Sequence, residues 1–302
     1  MSVATAPPPR VAERSRDAAT VVRNAMSVDV EDYFQVSAFA DHIDRAAWNG
    51  ISCRVERNTD AVMALFADHG VTATFFVLGW VAERYPDLVR RIVAGGHELA
   101  SHGYDHRRIT EQDPDTFRAD VTRAKSLLED IGGVAVRGYR APSFSIVATT
   151  LWAHQVLAEV GHAYSSSVYP IHHDLYGIPG APRFTYRPDA APGLREIPVT
   201  TAALLGRNWP CGGGGYFRLL PAWLTRRAMR RVNRLDGRSC VFYFHPWEID
   251  PDQPRQGGVS LKTRVRHYTN LGRMESKLRI MLGAFHWDRI DRVFPVETAA
   301  ER

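Results

Sequence analysis

Two histidines four residues apart, His102 and His106, are the sharpest chemical signal in this 302-residue chain. If the segment turns helically, both imidazoles face one side, an arrangement that can hold zinc or another divalent cation. Such an ion also needs anionic ligands, and hydrolysis needs a carboxylate able to take a proton from water. Asp29, Glu31 and Asp32 supply three carboxylates in four positions after an apolar run. Strand alternation would send Asp29 and Glu31 to the same side; Asp32 serves instead if the chain turns there. Two more clusters have similar character: Arg140 with Tyr139, Pro142 and Phe144, and His245 with Trp247 and Glu248. Taken singly, each has a plain structural explanation in a surface turn, a helix cap or a packed histidine. Their shared placement makes coincidence the poorer account.

That placement is the ends of strands. The hydrophobic pattern predicts strands at 24–30, 72–78, 97–101, 135–140, 162–166, 195–200 and 239–245. Helices are expected between them: from a cap at Asn58 or Thr59 to Asp68, at 86–94, after Asp115, at 149–160 and at 221–234. The Pro- and Gly-rich stretches 169–194 and 209–215 read as loops. Regular βα alternation implies a parallel sheet, and repeated units of this size commonly close into a barrel. Active sites of such barrels lie where the strands end, and there the carboxylates, histidines and arginine fall.

In combination these residues resemble the NodB-homology polysaccharide deacetylases, carbohydrate esterase family 4, over about 25–250. The resemblance implies an α/β fold, a distorted (β/α)7-type barrel, with a disordered leader over 1–24 and a C-terminal extension over 251–302 on or beside it. It implies a divalent metal held by His102, His106 and Glu31 or Asp32, with zinc expected first and cobalt, nickel or iron compatible. Asp29 would act as base, Arg140 would orient it, and His245 would protonate the leaving group. Tyr139, Pro142, Phe144 and Trp247 would contact substrate, with Trp209 and Tyr216 beside them, and a backbone N–H near Ser143 or Phe144 would help hold the oxyanion. The implied partner is an acetylated polysaccharide or oligosaccharide. The tail, around 254–258, 266–271 and 274–278, is similar to an extension in a bacterial subgroup associated with exopolysaccharide clusters and exosortase systems.

Three positions depart from the family pattern. The first motif has Asp29-Val30-Glu31-Asp32 in place of adjacent aspartates, Gly103 stands where Ser or Thr is usual, and Ser165 stands where many members carry Asp. The last departure would remove an ion pair and weaken the positioning of Arg140. Alternatives are therefore a hydrolase of small cyclic amides or imides, and a catalytically inactive glycan-binding protein.

Composition sets the outer bounds. Hydrophobic residues make up 45% and charged residues 24%, as in an ordinary globular protein. Cys53, Cys211 and Cys240 form no CxxC pair, so inert thiols are expected. The net charge of +5 owes much to Arg226, Arg227, Arg230, Arg231 and Arg234 on one helical stripe. No nucleic-acid-reading module accompanies that stripe, so nucleic acid is not an expected partner. A solvated face is expected, or contact with an anionic membrane surface or an acidic glycan. The first two dozen residues lack a secretory apolar core, and the expected location is cytoplasmic or membrane-peripheral.

Overall fold

A strand apolar on both faces must be covered on both, which in a βα-repeat means helices outside and packed side chains within. The computed structural model describes residues 22–295, and in it Arg23–Val30 (β1) is buried at every position after Arg23. The other strands are Thr74–Val77 (β2), Glu98–Ser101 (β3), Gly138–Tyr139 (β4), Tyr164–Ser165 (β5), Arg195–Glu196 (β6), Thr201–Leu204 (β7), Arg207–Pro210 (β8), Val241–Phe244 (β9) and His286–Asp288 (β10). Pairing is parallel through β1, β2, β3, β4, β5 and β6, with β9 also on β1, so the sheet curls into the expected distorted barrel. Helices among the described residues are Val55–Ala67 (α1), Gly79–Arg84 (α2), Pro86–Ala94 (α3), Pro114–Gly132 (α4), Ala153–Glu159 (α5), Gly214–Leu219 (α6), Ala222–Arg231 (α7), Leu261–Tyr268 (α8), Leu271–Leu282 (α9) and Ile290–Val293 (α10).

Helix α1 begins earlier than its local sequence indicates. Asn58 and Thr59, expected as caps, are buried inside it; Asn58 donates to Asp250 and the Thr59 hydroxyl to the Val55 carbonyl. The cap comes from elsewhere in the chain: Asp32 Oδ2 accepts from the backbone N–H groups of Arg54 (2.6 Å) and Val55 (2.9 Å). A carboxylate there satisfies donors that the first helical turn leaves without partners. The arginine-rich helix, expected over 221–234, is α-helical only through α7 and continues as a wider π-turn, Val232–Asp236.

The glycine run after Trp209 closes the barrel. β7 and β8 form an antiparallel hairpin, so the predicted loop at 209–215 begins inside a strand. Beyond it, Tyr243 N–H donates to the Gly212 carbonyl (2.8 Å), and Gly213 bridges Tyr243 in parallel. Gly213 sits at φ 111, ψ −148, where a Cβ would strike the Tyr243 carbonyl oxygen. That conformation belongs to glycine. Gly213→Ala is therefore expected to cost on the order of 3 kcal/mol, read from the denaturant midpoint. Gly215→Ala, in α6 with open space at its Cβ, should be neutral or slightly stabilising.

The expected leader lies outside the described residues as far as position 21, and Arg23 and Asn24 belong to β1. The segment after 251 adds β10 to the start of β1, pairing Asn24 with Trp287 and Ala25 with Asp288. Met274, Leu278 and Met281 of α9 share one apolar cluster with Met26, Val28 and Val30. No described helix is long and apolar enough to cross a membrane. The three cysteines are unpaired, and burial pushes the Cys211 thiol up to about 12.

Candidate metal and acid–base site

At the strand ends the chain gathers Asp29, Glu31, His102, His106, Arg140 and His245 around one cleft of about 200 Å³. β1 ends at Val30, and Glu31 N–H folds back onto the Asp29 carbonyl (3.1 Å), which turns both carboxylates inward. The two histidines follow β3 on an irregular loop and not on the helical turn expected from their spacing. Gly103 (φ 76) and His106 (φ 55) are left-handed there, and the imidazole centroids stand 5.3 Å apart. Of the five non-glycine residues with positive φ among those described, three border this cleft: His106, Ser143 and Phe144. Backbone strain of that kind is held by its surroundings and gathers at functional sites.

Three of these side chains fit a divalent cation. Ligand atoms of Glu31, His102 and His106 all lie within 4.8 Å of one another, and all three residues are buried. Glu31 Oε1 accepts from the Trp247 indole (3.1 Å). Glu31 Oε2 is buried without a hydrogen bond, although His106 Nε2 is 2.6 Å away. Close approach without hydrogen-bond alignment is what two atoms aimed at a shared ion would show. His102 Nδ1 lies 2.8 Å from the Arg140 carbonyl, which fixes the ring and leaves Nε2 to face the cleft. Burial opposes ionisation of Glu31, but the imidazoles of His106 and His245 outweigh it and hold the carboxyl well below the usual range. Burial brings His102 down to about 4, so its imidazole is neutral, the form that ligates.

Asp32, the rival to Glu31, does not join them. Its oxygens receive Tyr33, Arg54 and Val55 N–H groups, and burial lifts it to about 6 in spite of these bonds. Helix capping accounts for the residue.

Asp29 is held by Arg140. Nη1 donates to Asp29 Oδ1 (2.7 Å) and to the Ser27 hydroxyl (2.8 Å), while Nε and Nη2 reach the Ser166 carbonyl and hydroxyl, both at 3.0 Å. The guanidinium lies 4.1 Å over the Phe76 ring and is fully buried. Ser165 bonds Ser167 instead (2.8 Å), and Ser166 fixes the arginine that was expected to be loosened.

His245 stands across the cleft, with Nε2 3.9 Å from Asp29 Oδ2 and 3.6 Å from Glu31 Oε1. Its Nδ1 meets Glu248 Oε1 (2.8 Å), and Glu248 Oε2 pairs with Arg218 (2.9 Å). Burial disfavours the imidazolium, but Glu31, Glu248 and Asp29 together raise His245 to about 9.

The predicted substrate contacts divide. Phe144 and Trp247 line the cleft. Tyr139 does not: successive strand residues face opposite ways, and with Arg140 inside, Tyr139 packs outside against Phe117 and His162. Pro142 is buried at the base of its turn, and Trp209 and Tyr216 are also absent from the lining. The Phe144 N–H already bonds the Ala141 carbonyl (3.0 Å), so of the two proposed oxyanion donors Ser143 is the one left. Sequence reasoning missed Arg218, which no motif marks, and Tyr176 from the long loop. It also gave no role to Glu248, although its spacing of three from His245 was visible.

Comparison with known proteins now bears on this arrangement. Residues 46–164 match the polysaccharide deacetylase family, and 166–295 match a domain of unknown function, DUF3473. A peptidoglycan-N-acetylglucosamine deacetylase of Bacillus cereus is 32% identical over 96 residues, 32% of this chain and 35% of that protein. A chitooligosaccharide deacetylase of Azorhizobium caulinodans is 31% identical over 100 residues, 33% of this chain and 45% of that protein. The chain thus spans between a third and a half of the length of these curated relatives. A crystal structure from Mycobacterium smegmatis, of a protein assigned to the polysaccharide deacetylases, aligns at a TM-score of 0.55 with 22% identity, covering 88% of this chain and 86% of that one. At that identity it shows the shared fold. Residues 46–164 of the chain are thus similar to the polysaccharide deacetylases, and the chain shares their fold.

Proposed function

We propose that this protein is a metal-dependent deacetylase that hydrolyses the acetyl group of an acetylated oligosaccharide or polysaccharide. The observation that carries the reading is the meeting of a Glu31–His102–His106 ligand set with the Asp29–Arg140 pair and His245 in one cleft. The donor set, two imidazoles and one carboxylate, suits zinc first and cobalt, nickel or iron next. When bound, the cation supplies Lewis-acid polarisation of the acetyl carbonyl and an acidified water. Asp29 accepts a proton at Oδ2, the oxygen Arg140 leaves free. His245 gives one from Nε2 to the departing amine or alcohol, and Glu248 keeps Nδ1 occupied. Phe144, Tyr243 and Trp247 give the sugar an aromatic wall.

A second hollow, about 380 Å³, shares Val36, Ser37 and His106 with the cleft and includes Arg45, Trp48 and Arg108. Adjoining room of this kind supports an oligomeric substrate. The named activities of the Bacillus and Azorhizobium relatives support N-acetylglucosamine residues as its reacting units. The DUF3473 match is compatible with the exopolysaccharide-associated subgroup that the tail resembles.

The test is acetate release from N-acetylated chitooligosaccharides and from peptidoglycan fragments. Activity should vanish after chelation and return with zinc, cobalt or nickel, with about one ion bound per chain at the one three-ligand site found among the described residues. Turnover that survives complete metal removal would sink the proposal.

A further inference from the structure

Away from the catalytic cleft, α6, α7 and α9 leave exposed a surface that is both apolar and strongly cationic. Leu219, Leu220 and Trp223 form one wall of a groove of about 540 Å³, and Arg273, Lys277 and Ile280 belong to the other. Trp223 is 57% exposed, Ile280 48% and Leu220 41%. Large side chains gathered in water like this mark a contact surface more than a scatter of single residues would.

Alongside, Trp223, Arg226, Arg227, Arg230 and Arg234 surround a second hollow of about 320 Å³. No carboxylate lines either hollow. Among the described residues, none of these four arginines forms a salt bridge, and Arg230 only faces the Phe285 ring. Other arginines of the chain do find acids: Arg54 meets Asp250, Arg91 meets Glu56 and Asp60, and Arg183 meets Asp236. Lys277 is different again, for its ammonium caps the Phe217, Arg218 and Leu220 carbonyls at the end of α6. Four arginines without an acid partner thus cluster on α7 and the π-turn that follows it, beside the exposed apolar groove.

We infer that this face docks on an anionic lipid bilayer, with Leu219, Leu220, Trp223 and Ile280 entering the headgroup boundary and the α7 arginines meeting lipid phosphates. Interfacial binding needs both parts, apolar area to insert and cations to meet the surface potential. A soluble acidic polymer would satisfy the arginines but leave the leucines and isoleucine in water. A second copy in two-fold symmetry would set arginines against arginines. A bilayer meets the whole patch. Helix α6 has Gly215 and Arg218 at the catalytic cleft and leads into Leu219 and Leu220 at the groove, so docking would hold that cleft one short helix from the lipid.

Co-sedimentation with vesicles of phosphatidylcholine alone, and of phosphatidylcholine with phosphatidylglycerol, tests this directly. The full chain should bind only the anionic vesicles and be released by salt. Arg226→Gln with Arg230→Gln should weaken binding about fivefold per arginine removed, and Trp223→Ser should weaken it without changing the salt dependence. All variants should keep wild-type thermal midpoints and acetate release from soluble substrate. Equal binding to both vesicles, binding to neither, or arginine variants that bind as wild type would overturn the inference. So would Trp223-independent capture by soluble alginate that matches vesicle binding, or a dimer in solution that Trp223→Ser dissociates. None of these readings depends on deacetylation, so docking and the proposed chemistry fail or stand separately.

Discussion

Asp29→Asn is expected to lower acetate release by a factor on the order of 10³ while the protein keeps its metal. Asparagine has nearly the shape of aspartate, and its oxygen can still accept from Arg140, but the side chain cannot take a proton from water. Since Asp29 is outside the Glu31–His102–His106 set, metal content should not change. His102→Ala removes a member of that set and should lose metal and turnover together. Elemental analysis alongside acetate release separates the two failures. There is also a stability effect. Arg140 is fully buried, and without the Asp29 carboxylate its charge is met by neutral groups, the Ser27 and Ser166 oxygens, the Phe76 ring and the substituted amide oxygen. Removing one partner of a buried pair costs about 3–5 kcal/mol, so activity must be read well below the lowered thermal midpoint. Wild-type turnover in folded, metal-loaded Asp29→Asn would mean that another group accepts the proton.

The sequence made parts of this site readable because strand ends are local features. Asp29, His102, Arg140 and His245 each follow an apolar run, and the barrel brings such ends together whatever the loops do. What could not be read depends on contacts between distant segments. Asp32 looked as good a ligand as Glu31 until the backbone of Arg54 and Val55 came to lie beneath it. Tyr139 is a different error, since strand alternation already opposed pointing it the same way as Arg140. The three serines 165–167 could not be ranked by composition; only the structure shows Ser166 reaching the guanidinium. β10 was hidden because three residues beside a long core strand form a strand through that neighbour and not through their own periodicity.

Glu248→Gln should act selectively, lowering amide turnover by about 10²-fold while barely changing hydrolysis of an aryl acetate. Glu248 Oε1 accepts from both the backbone N–H (3.1 Å) and Nδ1 (2.8 Å) of His245, fixing the ring and leaving Nε2 as the face that can donate into the cleft. A neutral amide at 248 can still hydrogen-bond but no longer stabilises the imidazolium. An amine is a poor leaving group and needs the proton; a nitrophenolate leaves without one. A purely structural fault would slow both substrates alike, so the ratio of the two rates is the diagnostic quantity. Arg218 complicates the single variant, because it is buried against Glu248 and would lose its counter-charge. Adding Arg218→Met removes that penalty of about 3–5 kcal/mol, so the double variant should regain stability without regaining amide turnover. Proportionate loss on both substrates in the stable double variant would reduce Glu248 to a packing role, and retained amide hydrolysis would show that proton donation by His245 does not depend on the Glu248 charge.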